Sequence, residues 1–301
     1  MNWIKKLGFA LALPLVALST AALGQDGRGD VVYVPTPQIA VDEMLRLAKI
    51  GPKDFLIDLG SGDGRIIITA AKKFGAQGFG VDLDTYLLRR ARESAKNEGV
   101  AERASFVEQN LFETDLSKAT VISSYLLPEM NLRLRPKILA LKPGTRIIAH
   151  DYHMGAWYPD DQRDIPVPEK VVGTPGVSYI YLWVVPAKVA GKWQVSVAGY
   201  DKPYEIDFSQ LFQILDGTSR AGAESATLSG RVTNGDQIRF TTQPKGSPGS
   251  QRHEFTGRIA GDTLSGTVRI GEGTAARQVN WTGKLVARGE MQRASDEVAG
   301  R

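Results

Sequence analysis

The chain has 301 residues, 42% of them hydrophobic and 23% charged, which is enough for one large or two modest domains with real cores. Its formal charge of +4 falls to +2 if Lys5 and Lys6 leave with an acid-free leader, so the basic excess of a nucleic-acid binder is excluded. It has no cysteine, which excludes disulfides, thiolate metal sites, a lipoprotein acceptor and a cysteine nucleophile.

Residues 1–24 read as an export signal. Lys5 and Lys6 precede an apolar stretch from Leu7 to Leu18, and Ala22-Leu23-Gly24 is a cleavage site. This predicts a periplasmic or exported protein starting near Gln25, with an uncleaved inner-membrane anchor as the alternative; a membrane is a partner only in that second case. Residues 25–32 are a polar linker. Tyr33-Val34-Pro35-Thr36-Pro37 then leads into a helix, with Thr36 as N-cap and Pro37 at the first helical position. This segment either covers a sheet edge or forms a lid from Tyr33 to Thr36 over a ligand.

Phe55-Leu56-Ile57 is a short apolar run ending in Asp58, and Ile66 to Ala71 continues as a helical apolar face. Between them Gly60, Gly62 and Gly64 alternate through Ser61 and Asp63, so the turn can be tight and its backbone can approach a ligand closely. The helix start behind the turn offers unpaired N–H groups to a negative group. About twenty residues on, a strand through Gly78 and Val81 ends in Asp82, followed by Leu83, at the spacing of a ribose-gripping acid. That spacing fits a dinucleotide site and an S-adenosylmethionine site equally. The D-x-G-x-G-x-G turn from Asp58, followed by Val81-Asp82, resembles motif I and the second-strand acid of class I (seven-strand) S-adenosylmethionine-dependent methyltransferases. The resemblance implies S-adenosylmethionine as cofactor, with its ammonium at Asp58, its carboxylate on the turn backbone from Gly60 to Gly64, its ribose at Asp82 and its adenine at Asn110 or Leu111. Asn110 departs from the family's usual aspartate, although an amide oxygen still accepts a hydrogen bond.

A helix from Thr85 to Asn97, a strand at Ser105–Glu108, a strand at Thr120–Ser124, a helix at Pro128–Leu139 and a strand at Thr145–Ala149 follow in alternation. This predicts an α/β, doubly wound Rossmann-like sheet, closed by an edge hairpin at Ser178–Val185. Tyr125, at the end of the fourth strand, could orient an amine or pack only. His150 and Asp151 at the end of the fifth strand are the next catalytic candidates. Together with His153 they could hold a metal, but strand periodicity puts His150 and Asp151 on opposite faces, and no metal is expected.

From Lys188 the period changes to two, with a glycine between apolar residues in Leu228-x-Gly230-x-Val232, Phe255-x-Gly257-x-Ile259, Leu264-x-Gly266-x-Val268 and Trp281-x-Gly283-x-Leu285. Asn234-Gly235 and Gly261-Asp262 supply turns. The reading is a methyltransferase domain at 33–187, an all-β antiparallel barrel or meander at 188–287 across a Pro-Ala-Lys linker that can be cut, and a disordered tail at 288–301.

Tyr33 to Pro37, together with Leu111-Phe112-Glu113-x-Asp115-Leu116, further resembles the small protein-lysine methyltransferases of mitochondrial membrane proteins such as the membrane-ring component of ATP synthase. That resemblance implies a protein substrate, with methyl transfer to a lysine as one possibility; no nucleic acid is expected. An exported, non-catalytic binder of nucleosides or envelope components is the competing reading, because S-adenosylmethionine is made in the cytoplasm.

Overall fold

The computed structural model describes residues 33–244, 252–271, 273–292 and 294. Residues 1–32, read as an export signal and a linker, lie outside the described residues. Seven strands form one sheet: β1 (Phe55–Leu59), β2 (Gln77–Asp82), β3 (Ala104–Glu108), β4 (Val121–Ser124), β5 (Arg146–His150), β6 (Asp161–Val167) and β7 (Gly176–Val184). Their order is β3-β2-β1-β4-β5-β7-β6. β1 to β5 run parallel, while β7 pairs antiparallel with both β5 and β6. β6 has no apolar run in sequence because it is the edge strand, and Gln162, Arg163 and Asp164 are exposed.

Helices α1 (Gln38–Leu47), α2 (Arg65–Phe74) and α3 (Thr85–Asn97) pack on one face of the sheet through residues such as Met44, Leu45, Ile67, Leu88 and Ala91. α1 starts one residue later than expected. Pro37 takes the N-cap position with extended backbone, and no side chain caps the helix, so Thr36 is not its cap. On the other face lie α4 (Pro128–Leu139), Trp157 and Trp183. No helix among the described residues is long and apolar enough to cross a membrane.

The remaining strands form a closed antiparallel barrel: β8 (Gly191–Val197), β9 (Tyr204–Leu211), β10 (Ile214–Ala221), β11 (Glu224–Thr233), β12 (Gln237–Pro244), β13 (His253–Ala260), β14 (Thr263–Ile270) and β15 (Arg277–Arg288). Consecutive strands pair, and β15 returns to β8 to close the ring. The glycine repeat makes room for large rings in a small bore: a Cβ on Gly257 would lie 2.8 Å from Cζ2 of Trp281. Phe240 and Phe255 stack at 4.4 Å, and Trp281 meets Phe255 edge-on at 5.4 Å.

The barrel does not stand apart from the sheet, contrary to the expectation of a separable domain. Phe212, held at φ 53 in the β9–β10 turn, stacks on Trp157 at 5.8 Å and belongs to the same buried cluster as Ile57, Ile122 and Trp183. The connecting segment is pinned as well. Gln210 is fully buried, donates to the carbonyls of Ala187 and Phe212, and accepts from the amides of Val189 and Ala190. The tail read as disordered from Arg288 begins with placed residues: Gly289 and Gln292 donate backbone hydrogen bonds to Ala190 and Gln210, and Ala294 is buried in the shared cluster. Residues 293 and 295–301 lie outside the described residues. A chain truncated between Val185 and Lys188 is therefore expected to lose its cooperative thermal transition, and Phe212→Ala to cost about 3–5 kcal/mol in denaturant unfolding. A truncated protein that melts cooperatively at the full-length temperature would contradict this shared core.

Candidate active site

The site lies at the carboxyl ends of β1, β2 and β4, where ligands bind in open parallel sheets. Gly60, Gly62 and Gly64 have φ of 76, 50 and 78°, a left-handed series that only glycine adopts at low cost. The turn is also crowded on both sides. A Cβ on Gly62 would lie 2.3 Å from Cε2 of Tyr33, and one on Gly64 would lie 2.4 Å from Cζ of Phe106. Asp82 fixes the turn from β2: Oδ2 accepts from the amide of Gly62 at 2.8 Å and Oδ1 from that of Asp84 at 3.0 Å. Asp84 in turn caps α3 by accepting from the amide of Leu87.

The segment before α1 is strapped over this turn. Arg65 donates to both oxygens of Asp63 and to the carbonyl of Thr36 at 2.8 Å. Burial, with the Asp63 carboxylate second, pushes the Tyr33 phenol up to about 12, so it stays protonated. Tyr33 and Thr36 line the cavity, and α1 behind them packs on the sheet.

A cavity of about 360 Å³ opens here. Of the residues singled out in the sequence, Thr36, Asp58, Gly60, Ser61, Asp63, Asp82, Leu83, Asn110, Leu111 and Tyr125 line it, while Gly62 and Gly64 shape the turn beneath. Asp58 is buried and accepts a hydrogen bond from Ser123 at 2.7 Å; burial raises its carboxyl to about 7, overcoming that hydrogen bond. The hydroxyl of Ser61 is buried with no hydrogen-bond partner among the described residues, which leaves a donor and acceptor for a ligand. One lone pair of Asn110 Oδ1 is taken by the amide of Phe112 at 3.0 Å, and the other remains for an adenine amine.

His150 and Asp151 do not line the cavity. They are not on opposite faces either: Asp151 has φ 61, which turns its side chain back so that Oδ1 lies 3.4 Å from Nε2 of His150. Burial depresses His150 to about 4, so it is neutral, and its Nε2 pairs with the Ser178 hydroxyl at 2.8 Å. Among the described residues no group of three or more His, Asp or Glu side chains is arranged to hold a metal ion. His153 instead accepts from the amide of Gly155.

The cavity is also lined by Met130, Arg133, Tyr152 and Val172, which the sequence did not single out. Met130 and Arg133 stand three apart on α4, and that helical spacing was the one available signal. The guanidinium of Arg133 lies 3.8 Å from the centre of the Phe112 ring.

The profile of the ANTKMT methyltransferase domain matches residues 58–161. A protein-lysine N-methyltransferase of Saccharolobus islandicus (strain REY15A) is 45% identical over 133 residues, covering 44% of this chain and 83% of that protein. The chain belongs to the class I S-adenosylmethionine-dependent methyltransferases. A Xenopus laevis lysine N-methyltransferase named for the C-type subunit of ATP synthase is 31% identical over 50% of this chain, and the match spans 64% of that protein. The human protein of the same name is 32% identical over 42% of this chain, with 54% of its own length matched. The crystal structure of an RNA methyltransferase from Salinibacter ruber, in complex with S-adenosyl-L-homocysteine, is 44% identical over 52% of this chain and 96% of that one, with a TM-score of 0.47. The profile match ends at 161, before the barrel.

The site fits the methyltransferase cofactor. The glycine cradle excludes any side chain, Ser61 offers an unused hydroxyl, and Asp82 presents a carboxylate whose oxygens each keep a lone pair for a ribose hydroxyl. Asp82→Ala should weaken S-adenosylhomocysteine binding by about 1.5–3 kcal/mol in calorimetry, because a charged acceptor is lost. It should also lower the melting temperature, since the Gly62 and Asp84 amides lose their partner. Asp82→Asn should be milder on both counts. Unchanged affinity in a folded Asp82→Ala protein would contradict the ribose assignment.

Proposed function

We propose that this methyltransferase transfers the methyl group to the ε-amino group of a lysine in a protein substrate. The observation that carries the reading is the acceptor side of the cavity, where the phenol of Tyr125 stands among Leu126, Leu127, Met130, Tyr152 and Val172. Apolar walls suit the aliphatic stem of a lysine, and one hydroxyl suits its nitrogen. The relatives named as lysine methyltransferases support the same reading. The competing reading as a non-catalytic binder of nucleosides or envelope components draws no support from the cavity or from these relatives.

S-adenosylmethionine supplies an electrophilic methyl group on a sulfonium, so the chain needs to position the acceptor rather than form a covalent intermediate. Asp58 would hold the ammonium, the amides of the Gly60–Gly64 turn the carboxylate, and Asp82 the ribose. Burial and the nearby Asp151 carboxylate raise the Tyr125 phenol far above its usual range, so it does not take the acceptor's proton. The amine must therefore reach the site neutral or release its proton to solvent. Residues 1–24 retain the features of an export signal, and we assign the chain to the cell envelope on that basis.

Asp58 gives a pH signature. Its folded-state value of about 7 lies above its unfolded value near 3.8, so the stability it contributes is complete below pH 4 and is lost as pH rises through 7. A ligand ammonium favours the carboxylate, so S-adenosylhomocysteine should bind more tightly at pH 8 than at pH 6, and Asp58→Asn should flatten that dependence. A wild-type affinity independent of pH over this range would contradict the ammonium assignment. The acceptor is tested by incubating the protein with methyl-labelled S-adenosylmethionine and a total extract of cells lacking its gene, followed by hydrolysis. Label in Nε-methyllysine is expected; label in methylated nucleosides would overturn the lysine reading.

A further inference from the structure

Behind the Tyr125 wall lies a buried ion pair. Lys170, in the β6–β7 loop, has a side chain only 4% exposed, and its Nζ donates to Oδ1 of Asp151 at 2.8 Å and lies 2.7 Å from Oδ2. The same ammonium donates to the carbonyls of Thr174 at 3.2 Å and of Val177. Asp151 is held in turn by Tyr179, whose carbonyl accepts from the Asp151 amide at 2.7 Å and whose amide donates to Oδ1 at 3.2 Å. Desolvating a lysine and an aspartate costs about as much as their attraction returns, so such a pair contributes little net stability; fixing a geometry is the other role open to it.

The geometry it reaches is that of Tyr125. The phenol donates to Oδ2 of Asp151 at 3.2 Å, and its ring packs on neutral His150 at 4.2 Å. A phenol has one proton, so with that proton committed to Asp151 its remaining lone pairs are acceptors. The charge balance matters as well. An unpaired Asp151 carboxylate behind the wall would favour a positively charged acceptor, which has no lone pair to attack with, whereas the Lys170 ammonium cancels that field. Lys170 also ties down the loop that carries Val172 to the cavity mouth.

We propose that the Lys170–Asp151 pair is a positioning device for the methyl acceptor. It turns the Tyr125 proton away from the cavity, so that the phenol accepts an N–H of the incoming amine and leaves the nitrogen lone pair free. This rests on the lysine reading above, and it makes Asp151 and Lys170 positioning residues acting through Tyr125 rather than catalytic ones.

Lys170→Met alone would strand a buried carboxylate, so the pair is removed together as Asp151→Asn/Lys170→Met and compared with Tyr125→Phe and with the triple variant. The labelled-extract assay is run on the full chain. The double variant and Tyr125→Phe are each expected to form Nε-methyllysine at least about tenfold more slowly, the scale of losing one oriented hydrogen bond at the acceptor. Both should bind S-adenosylhomocysteine within about twofold of wild type, and the triple variant should be no slower than Tyr125→Phe. Ionisation of Tyr125, read by ultraviolet difference absorbance against Tyr125→Phe, should move to lower pH in the double variant, because the phenol no longer donates to a carboxylate. An unchanged rate in the double variant, or a further loss in the triple variant, overturns the role of the pair alone. No methyllysine from the wild type overturns the lysine reading and this inference with it.

Discussion

The Asp82 carboxylate is clamped between the amides of Gly62 and Asp84, and the rest of the site depends on this interaction. It joins the end of β2 to the glycine turn after β1 and to the start of α3, so three elements meet at one side chain. The turn can hold its left-handed path because the amide of Gly62 has a charged acceptor, and Tyr33 can lie against Gly62 because no Cβ intervenes. Ionic and steric constraints thus converge on one cradle. Asp58, buried beside it and raised to about 7, is the complementary cost: its charge is disfavoured until a cation pairs with it.

The cofactor half of the site was legible in the sequence because its requirements are local. Three alternating glycines, an acid before them and an acid about twenty residues later each answer one chemical need; Asp58, Gly60 and Asp82 line the cavity, and Gly62 and Gly64 shape the turn beneath it. The acceptor half was not legible. Tyr125 could be singled out by its place at a strand end, but Val172 and Lys170 lie in a hairpin loop whose strand β6 is polar and exposed, with no periodic signal. The left-handed φ of Asp151 is a tertiary outcome, and it reversed the face that strand periodicity assigned.

The barrel shows the same division. Period-two alternation, inward glycines and glycine-containing turns read directly as curled antiparallel strands, and they close into eight. Its attachment to the sheet could not be read. Phe212 and Ala294 are ordinary apolar residues in sequence, and only the fold brings them to Trp157 and Trp183. Gln210 is likewise an inconspicuous polar residue until its amide group is seen to pin the segment from Ala187 to Ala190.

The most direct test of the account is a crystal structure of the full chain with S-adenosylhomocysteine. The account predicts the homocysteine end over the Gly60–Gly64 turn beside Asp58, both ribose hydroxyls on Asp82, the adenine between Leu83 and Asn110, and the sulfur facing Tyr125. A ligand bound elsewhere, or in this cavity with its ribose away from Asp82, would contradict it.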